Sequence, residues 1–288
     1  MRRVLATTIL VLGVAVPASV QQLTLPMKEG STRFAVIGDS GTGGDTQKQV
    51  ADRIALVHKS YPFEFALMLG DNLYGGEDAS DYKRKFELPY KPLIDAGVKF
   101  HAALGNHDDP SQRFYKGFNM NGERYYSFKG PNSGVRFFAL DSNYMAKEQL
   151  DWLDKELAAS GSDWKIVFFH HPIYSSGETH GSNETLREQV EPLFTKHGVD
   201  VVFTGHEHFY ERLKPQQGIT YFISGSAAKL RRGNIAESSS IMAKGYDQGY
   251  TFMIVEIAGD DMHFQTIDAN GKTIDSGIVK RRDAKKAA

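Results

Sequence analysis

The 288-residue chain is 41% hydrophobic and 24% charged, an ordinary globular composition that excludes wholesale disorder. Its 34 lysines and arginines against 35 aspartates and glutamates give a net charge of −1, which argues against a protein that holds nucleic acid by its phosphates. There is no cysteine, so disulfides, thiolate catalysis and zinc–thiolate sites are excluded. Metal chemistry has to run on the 10 histidines together with carboxylates, amides and phenols.

In chain order, residues 1–18 place Arg2 and Arg3 before an apolar run from Val4 to Val16 and then small residues. That is the layout of a secretory signal peptide, with cleavage expected after Ala18. The run falls short of the roughly 20 apolar residues that span a bilayer. Export to a secreted or periplasmic location is expected, with no membrane association after cleavage.

From residue 34 onward one pattern recurs five times: a short apolar run breaks off into Gly or His and then a ligand-type residue. Residues 34–37 run into Gly38-Asp39, 65–69 into Gly70-Asp71-Asn72-Leu73-Tyr74, and 100–104 into Gly105-Asn106-His107-Asp108. Residues 166–169 run into His170-His171-Pro172, and 199–203 into Thr204-Gly205-His206-Glu207-His208. Runs this short and apolar predict strands buried on both faces.

Helices are predicted between them. Residues 45–59 carry Val50, Ile54 and Val57 on one face, with Thr46 and Gln49 spaced as a capping box. Residues 147–159 carry Leu150, Leu153 and Leu157. Residues 183–197 end at Gly198, and Pro192 predicts a kink or two shorter pieces. Strands alternating with helices mean a largely parallel sheet, and such sheets bind ligands beyond their carboxyl ends. All five clusters should therefore converge.

Strands without ligand ends are predicted at 135–140, 219–223, 250–257 and 262–267, the last two joined by a hairpin at Asp260-Asp261. These should build a second sheet packed on the first. Residues 231–248 read as a long polar loop. A single catalytic domain is expected over 30–280, with a frayed tail at 281–288.

The candidate ligands are Asp39, Asp71, Tyr74, Asn106, His170, His206 and His208. Seven side chains exceed one tetrahedral zinc and match two ions sharing a carboxylate. The oxygen and nitrogen mixture favours iron, zinc or manganese over calcium. Without a covalent nucleophile motif, direct attack of metal-bound hydroxide on a phosphoryl group is the economical mechanism. Among the other histidines, His58 and His197 fall at helix C-termini, and His101 and His263 fall in strands. His171 should point away from His170 by strand alternation.

GDSG at 38–41, GDNLY at 70–74, GNHD at 105–108, VFFHHP at 167–172 and GHEH at 205–208 together resemble the calcineurin-like metallophosphoesterase superfamily. Tyr74 narrows the resemblance to purple acid phosphatases of the small, tartrate-resistant type, whereas GHEHFYER at 205–212 is similar to the larger plant enzymes. The resemblance implies a layered α/β/β/α sandwich with two mixed sheets flanked by helices. It implies Fe(III) held by Asp39, Asp71, Tyr74 and His208. A divalent iron, zinc or manganese would be held by Asp71, Asn106, His170 and His206, with Asp71 bridging. His107 would contact the phosphate, oriented by Asp108, and His180 would face the substrate. The long inhibitory insertion of animal relatives is absent after Asp141-Ser142-Asn143, so no proteolytic activation is expected. The implied activity is acid hydrolysis of small phosphomonoesters, with a phosphodiesterase, a nucleotidase or a catalytically silent metal-binding protein as alternatives.

Overall fold

The computed structural model describes residues 23–132 and 134–282. The expected leader at 1–18 and the tail beyond 282 lie outside the described residues. In chain order the elements begin with β1 (Thr32–Ile37), α1 (Asp45–Ser60), β2 (Phe65–Met68), α2 (Ala79–Tyr82), α3 (Lys91–Asp95) and β3 (Lys99–Ala102). Next come β4 (Tyr126–Lys129), β5 (Val135–Ala139), α4 (Lys147–Ala159), β6 (Trp164–Phe169), α5 (Glu184–His197) and β7 (Val201–Thr204). The chain continues with β8 (Tyr210–Leu213), β9 (Thr220–Ser224), β10 (Met242–Tyr246), β11 (Thr251–Ala258), β12 (Asp261–Asp268) and β13 (Thr273–Lys280).

The strands form two mixed sheets, in the orders β13-β12-β11-β1-β2-β3 and β10-β8-β9-β7-β6-β5-β4. Within the first, β1, β2 and β3 are parallel; within the second, β5, β6, β7 and β9 are parallel. The five ligand-bearing strands therefore divide between the sheets instead of sharing one. The strands without ligand ends divide too: β11 and β12 extend the first sheet through the antiparallel pairing of β11 with β1, while β5 and β9 flank β6 and β7. This corrects the assignment of all four to a second sheet. Part of the stretch read as polar loop, Met242–Tyr246, is a strand paired antiparallel to β8.

Between the sheets lies a core dominated by phenylalanine. Phe34 of β1 stacks on Phe65 of β2 and meets Phe137 of β5 edge-on, each at 5.2 Å between centroids. Phe222 of β9 meets Phe264 of β12 at 5.0 Å. Such aromatic pairs contribute beyond their buried area and set how the sheets seat on each other. The apolar face of α1, with Val50, Ile54 and Val57, joins this core from the outer side of the first sheet. A second core gathers Leu153 and Leu157 of α4 and Leu186, Val190 and Phe194 of α5 against Phe138, Val167 and Phe169. Helices thus cover both outer faces, giving the expected α/β/β/α layering.

Three local expectations change. The capping box of α1 does not form, because Thr46 already lies inside the first turn. Gly44 is the N-cap, and the Thr46 hydroxyl donates instead to the Ala228 carbonyl at 3.1 Å. Helix α5 runs as one piece from Glu184 to His197 with Pro192 inside it, so the split into two shorter pieces does not occur. Its buried apolar face, the Asn183 cap on the Leu186 N–H at 3.0 Å and the left-handed stop at Gly198 hold it together against the lost backbone bond. Arg281 and Arg282, read as the start of a frayed tail, are anchored by Asp260 at 2.9 Å and Asp200 at 2.8 Å.

Candidate metal centre

Because the parallel strands of both sheets end on the same side, the loops after β1, β2, β3, β6 and β7 meet at one edge of the sandwich. Asp39, Asp71 and His206 all sit at positive φ, at 55°, 51° and 67°. Non-glycine residues adopt that conformation rarely, and a protein that holds three such residues in one place is spending strain on aiming side chains. The glycines beside them are needed for contact. A Cβ at Gly105 would lie 2.2 Å from the Asp71 carboxylate, and one at Gly205 would lie 2.6 Å from Asp39.

The structure brings all seven candidate ligands together. The Asp39 carboxylate, fully buried, accepts the Tyr74 hydroxyl at 3.1 Å on Oδ1 and lies 3.4 Å from His208 Nε2. Its Oδ2 accepts the His206 backbone N–H at 2.9 Å. Tyr74 Oη is 3.5 Å from His208 Nε2. The donor atoms of Asp39, Asp71 and His208 all lie within 4.8 Å of one another. A second group forms around His170 Nε2, which is 3.0 Å from Asn106 Oδ1, 3.1 Å from His206 Nδ1 and 3.4 Å from Asp71 Oδ1. Asp71 borders both groups.

Of the two other singled-out histidines, His107 donates its backbone N–H to Asp71 Oδ1 at 3.0 Å, and its ring lies 5.0 Å from that of Tyr74. His180 is exposed on the loop after β6, with its ring 4.2 Å from that of His206.

His171 differs from its expectation. Strand β6 ends at Phe169, so strand alternation no longer governs the next two residues. The His171 ring lies 4.5 Å from that of His206, and its Nδ1 meets the Ser142 hydroxyl at 2.9 Å. Asp108 also differs: among the described residues its carboxylate makes no hydrogen bond to the His107 ring. It collects the backbone N–H groups of Gly105, Asn72 and Leu73 at 2.8–3.1 Å, tying the GDNLY and GNHD turns together. Sequence reading missed Glu207 and Lys229. Glu207 is fully buried between the two histidines of GHEH, and the Lys229 ammonium sits 4.4 Å above the Tyr74 ring.

The chemistry of this donor set fits cations. Among the described residues neither Asp39 nor Asp71 pairs with a lysine or arginine. Burial first, and then the charge of Asp71, hold the Asp39 carboxyl well above the usual carboxylate range. Burial and the two carboxylates push the Tyr74 phenol far up. Burial pushes His206 down to about 2 and His208 to about 4, so both imidazoles are neutral and their lone pairs are free. Two carboxylates, a phenol, an amide and three imidazoles facing one another, with no lysine or arginine paired to either carboxylate, is an arrangement that positive ions reconcile.

A calcineurin-like phosphoesterase family model matches residues 32–210. The chain belongs to that family. It is 28% identical to tartrate-resistant acid phosphatase type 5 of Homo sapiens, an alignment covering 91% of this chain and 96% of the human one. It is 26% identical to purple acid phosphatase 7 of Arabidopsis thaliana, over 93% of this chain and 92% of that one. A purple acid phosphatase structure from yellow lupin seeds superposes with a TM-score of 0.71 at 18% identity, covering 89% of this chain and 55% of the lupin chain. Family, relatives and donor groups together make this a metal-dependent phosphoester hydrolase with the side chains of a dinuclear metal centre. No helix among the described residues is long and apolar enough to cross a membrane.

Proposed function

We propose that this chain is an exported acid phosphatase of the purple type, secreted or periplasmic, that hydrolyses small phosphomonoesters. The observation that carries the reading is the Tyr74 hydroxyl, 3.1 Å from Asp39 and 3.5 Å from His208 Nε2, inside the donor group that also includes Asp71. A phenol in that place suits a ferric ion, which is acidic enough to hold it as phenolate. Asp39, Asp71, Tyr74 and His208 would hold Fe(III), and Asp71, Asn106, His170 and His206 would hold a divalent iron, zinc or manganese.

When bound, such a pair supplies Lewis acidity at the phosphoryl oxygens and lowers the pKa of water. The chain's own residues do the rest. Neutral His206 and His208 offer lone pairs, and Asp39 and Asp71 are shielded from bulk water by burial. His107 and His180 each lie against a different ligand ring, Tyr74 and His206. Either can donate a proton to the departing alkoxide oxygen, and His180, being exposed, can take its proton back from solvent.

The test is metal analysis with a visible spectrum, run beside a panel of phosphomonoesters and phosphodiesters. Two metals per chain, a visible charge-transfer band and preference for monoesters at acidic pH are the expected result. A colourless, iron-loaded protein that prefers bis-esters would overturn it.

A further inference from the structure

We propose that Glu207 is a positioning residue that latches the His180 loop against the metal ligands, an inference that rests on the role proposed above for His180. His180 itself is exposed, as are Glu178 and Thr179 before it, so no apolar burial holds this part of the loop in place. Its ring nevertheless lies 4.2 Å from that of His206. An exposed loop histidine samples many positions unless something fixes its backbone.

The anchor is one buried carboxylate. Glu207 lies between His206 and His208, is fully buried, and turns its side chain toward the loop. Oε1 accepts the backbone N–H of Gly181, the residue after His180, at 2.9 Å, and the Ser175 hydroxyl at 3.4 Å. Oε2 accepts the Asn234 side-chain amide at 3.1 Å, with Arg231 Nη1 at 3.9 Å. Asn234 in turn accepts the Thr179 hydroxyl on its side chain and the Glu178 N–H on its carbonyl. A Cβ on Gly177 would lie 2.1 Å from Glu207 Oε1, so the loop passes the carboxylate at a distance only glycine allows.

Both ends of the catalytic loop are thus tied to the strand end that carries two metal ligands. Burying a carboxylate is costly unless several donors satisfy it. Here that cost goes into a junction of the two histidines, the 175–181 loop and the 231–236 segment, and fixes a proton donor relative to the divalent site.

The test uses Glu207→Ala and Gly177→Ala, the second attacking the same contact from the loop side. The variants are studied in the metal-loaded full chain, alone and combined with His180→Ala. Thermal melting shows which variants fold. Amide exchange of residues 175–181 should accelerate by roughly tenfold or more in either variant. Two metals per chain should remain, and kcat on alkyl phosphates should fall roughly 10-fold to 100-fold with little change in KM. In the His180→Ala background the same changes should cost less than about threefold, the non-additivity expected when one residue acts through another.

Unchanged exchange in 175–181, loss of metal, or additive losses in kcat would overturn the latch. If Glu207→Ala does not fold, Gly177→Ala decides by the same readouts. If His180→Ala alone leaves alkyl-phosphate turnover intact, the reading of His180 fails, and exchange alone then supports or overturns the latch.

Discussion

His170 Nδ1 lies 2.9 Å from the carbonyl oxygen of Leu69, joining the strand end of one sheet to that of the other. A carbonyl only accepts, so Nδ1 carries a proton and Nε2 is the ring nitrogen turned toward the other donors. Nε2 faces Asn106 Oδ1, Asp71 Oδ1 and His206 Nδ1, all within 3.4 Å. The backbone of the first sheet therefore sets the orientation of a ligand from the second, and Asp71 is where the two donor groups join. Asp71→Asn should lose both ions and at least roughly 10³-fold in turnover, because one neutral oxygen cannot join two cations. Metal analysis checks this, and two metals per chain at near-normal rate would remove Asp71 from the bridge.

Proton delivery makes a different prediction. Replacing His107 or His180 by Ala should leave metal content unchanged and lower kcat on alkyl phosphates by roughly 10²–10⁴. On nitrophenyl phosphate, whose leaving group needs no proton, the loss should be far smaller. Equal losses on both ester types would assign these residues to charge stabilisation instead.

The buried histidines predict acid sensitivity in the metal-stripped protein. Burial, aided by the charge of His170, pushes His171 down to about 3 from its usual 6.5. Between those values the unfolded chain binds a proton that the folded chain does not, so stability is present above pH 6.5 and is lost as pH falls. His206 and His208 act in the same direction. Glu211, raised by burial to about 7, acts oppositely: the folded state holds its proton between pH 4.5 and 7, so its stabilising share is lost as pH rises. One histidine contributes up to about 1.4 kcal/mol per pH unit. Urea unfolding of the stripped His171→Gln variant should therefore show a shallower fall between about pH 6.5 and 5, by up to about 2 kcal/mol. An unchanged slope would show that His171 titrates normally.

Much of the site is legible in the sequence because each ligand follows an apolar run that folds as a buried strand. Val36 and Ile37 before Asp39, or Phe168 and Phe169 before His170, announce both the strand and its end. The partition into two sheets is not legible. It depends on pairings such as Thr32 with Ile257, which join distant segments and leave no local pattern. Strands β10 and β13 escape for another reason. Their exposed, polar residues derive order from a partner, β8 for Met242–Tyr246 and β12 for Thr273–Lys280. Glu207 carries no spacing signal at all, since a glutamate between two ligand histidines reads as solvent-facing until the 175–181 loop is seen folded over it.

The last prediction turns on Tyr74. Its hydroxyl sits 3.1 Å from Asp39, and burial with the charges of Asp39 and Asp71 holds the phenol protonated in the absence of cations. Loading a ferric ion has to expel that proton, so uptake should release acid and weaken as pH falls. Phenolate bound to Fe(III) absorbs in the visible, and the Lys229 ammonium, 4.4 Å over the ring, stabilises the negative charge further. Tyr74→Phe should fold normally, bleach the band, release about one proton fewer on iron loading and hold the trivalent ion less tightly. Titrating iron into stripped wild type and variant while recording absorbance and proton release reads all of these except folding, which thermal melting reports. A variant that keeps both the band and the proton release would move the phenolate to another residue and remove Tyr74 from the proposed ferric site.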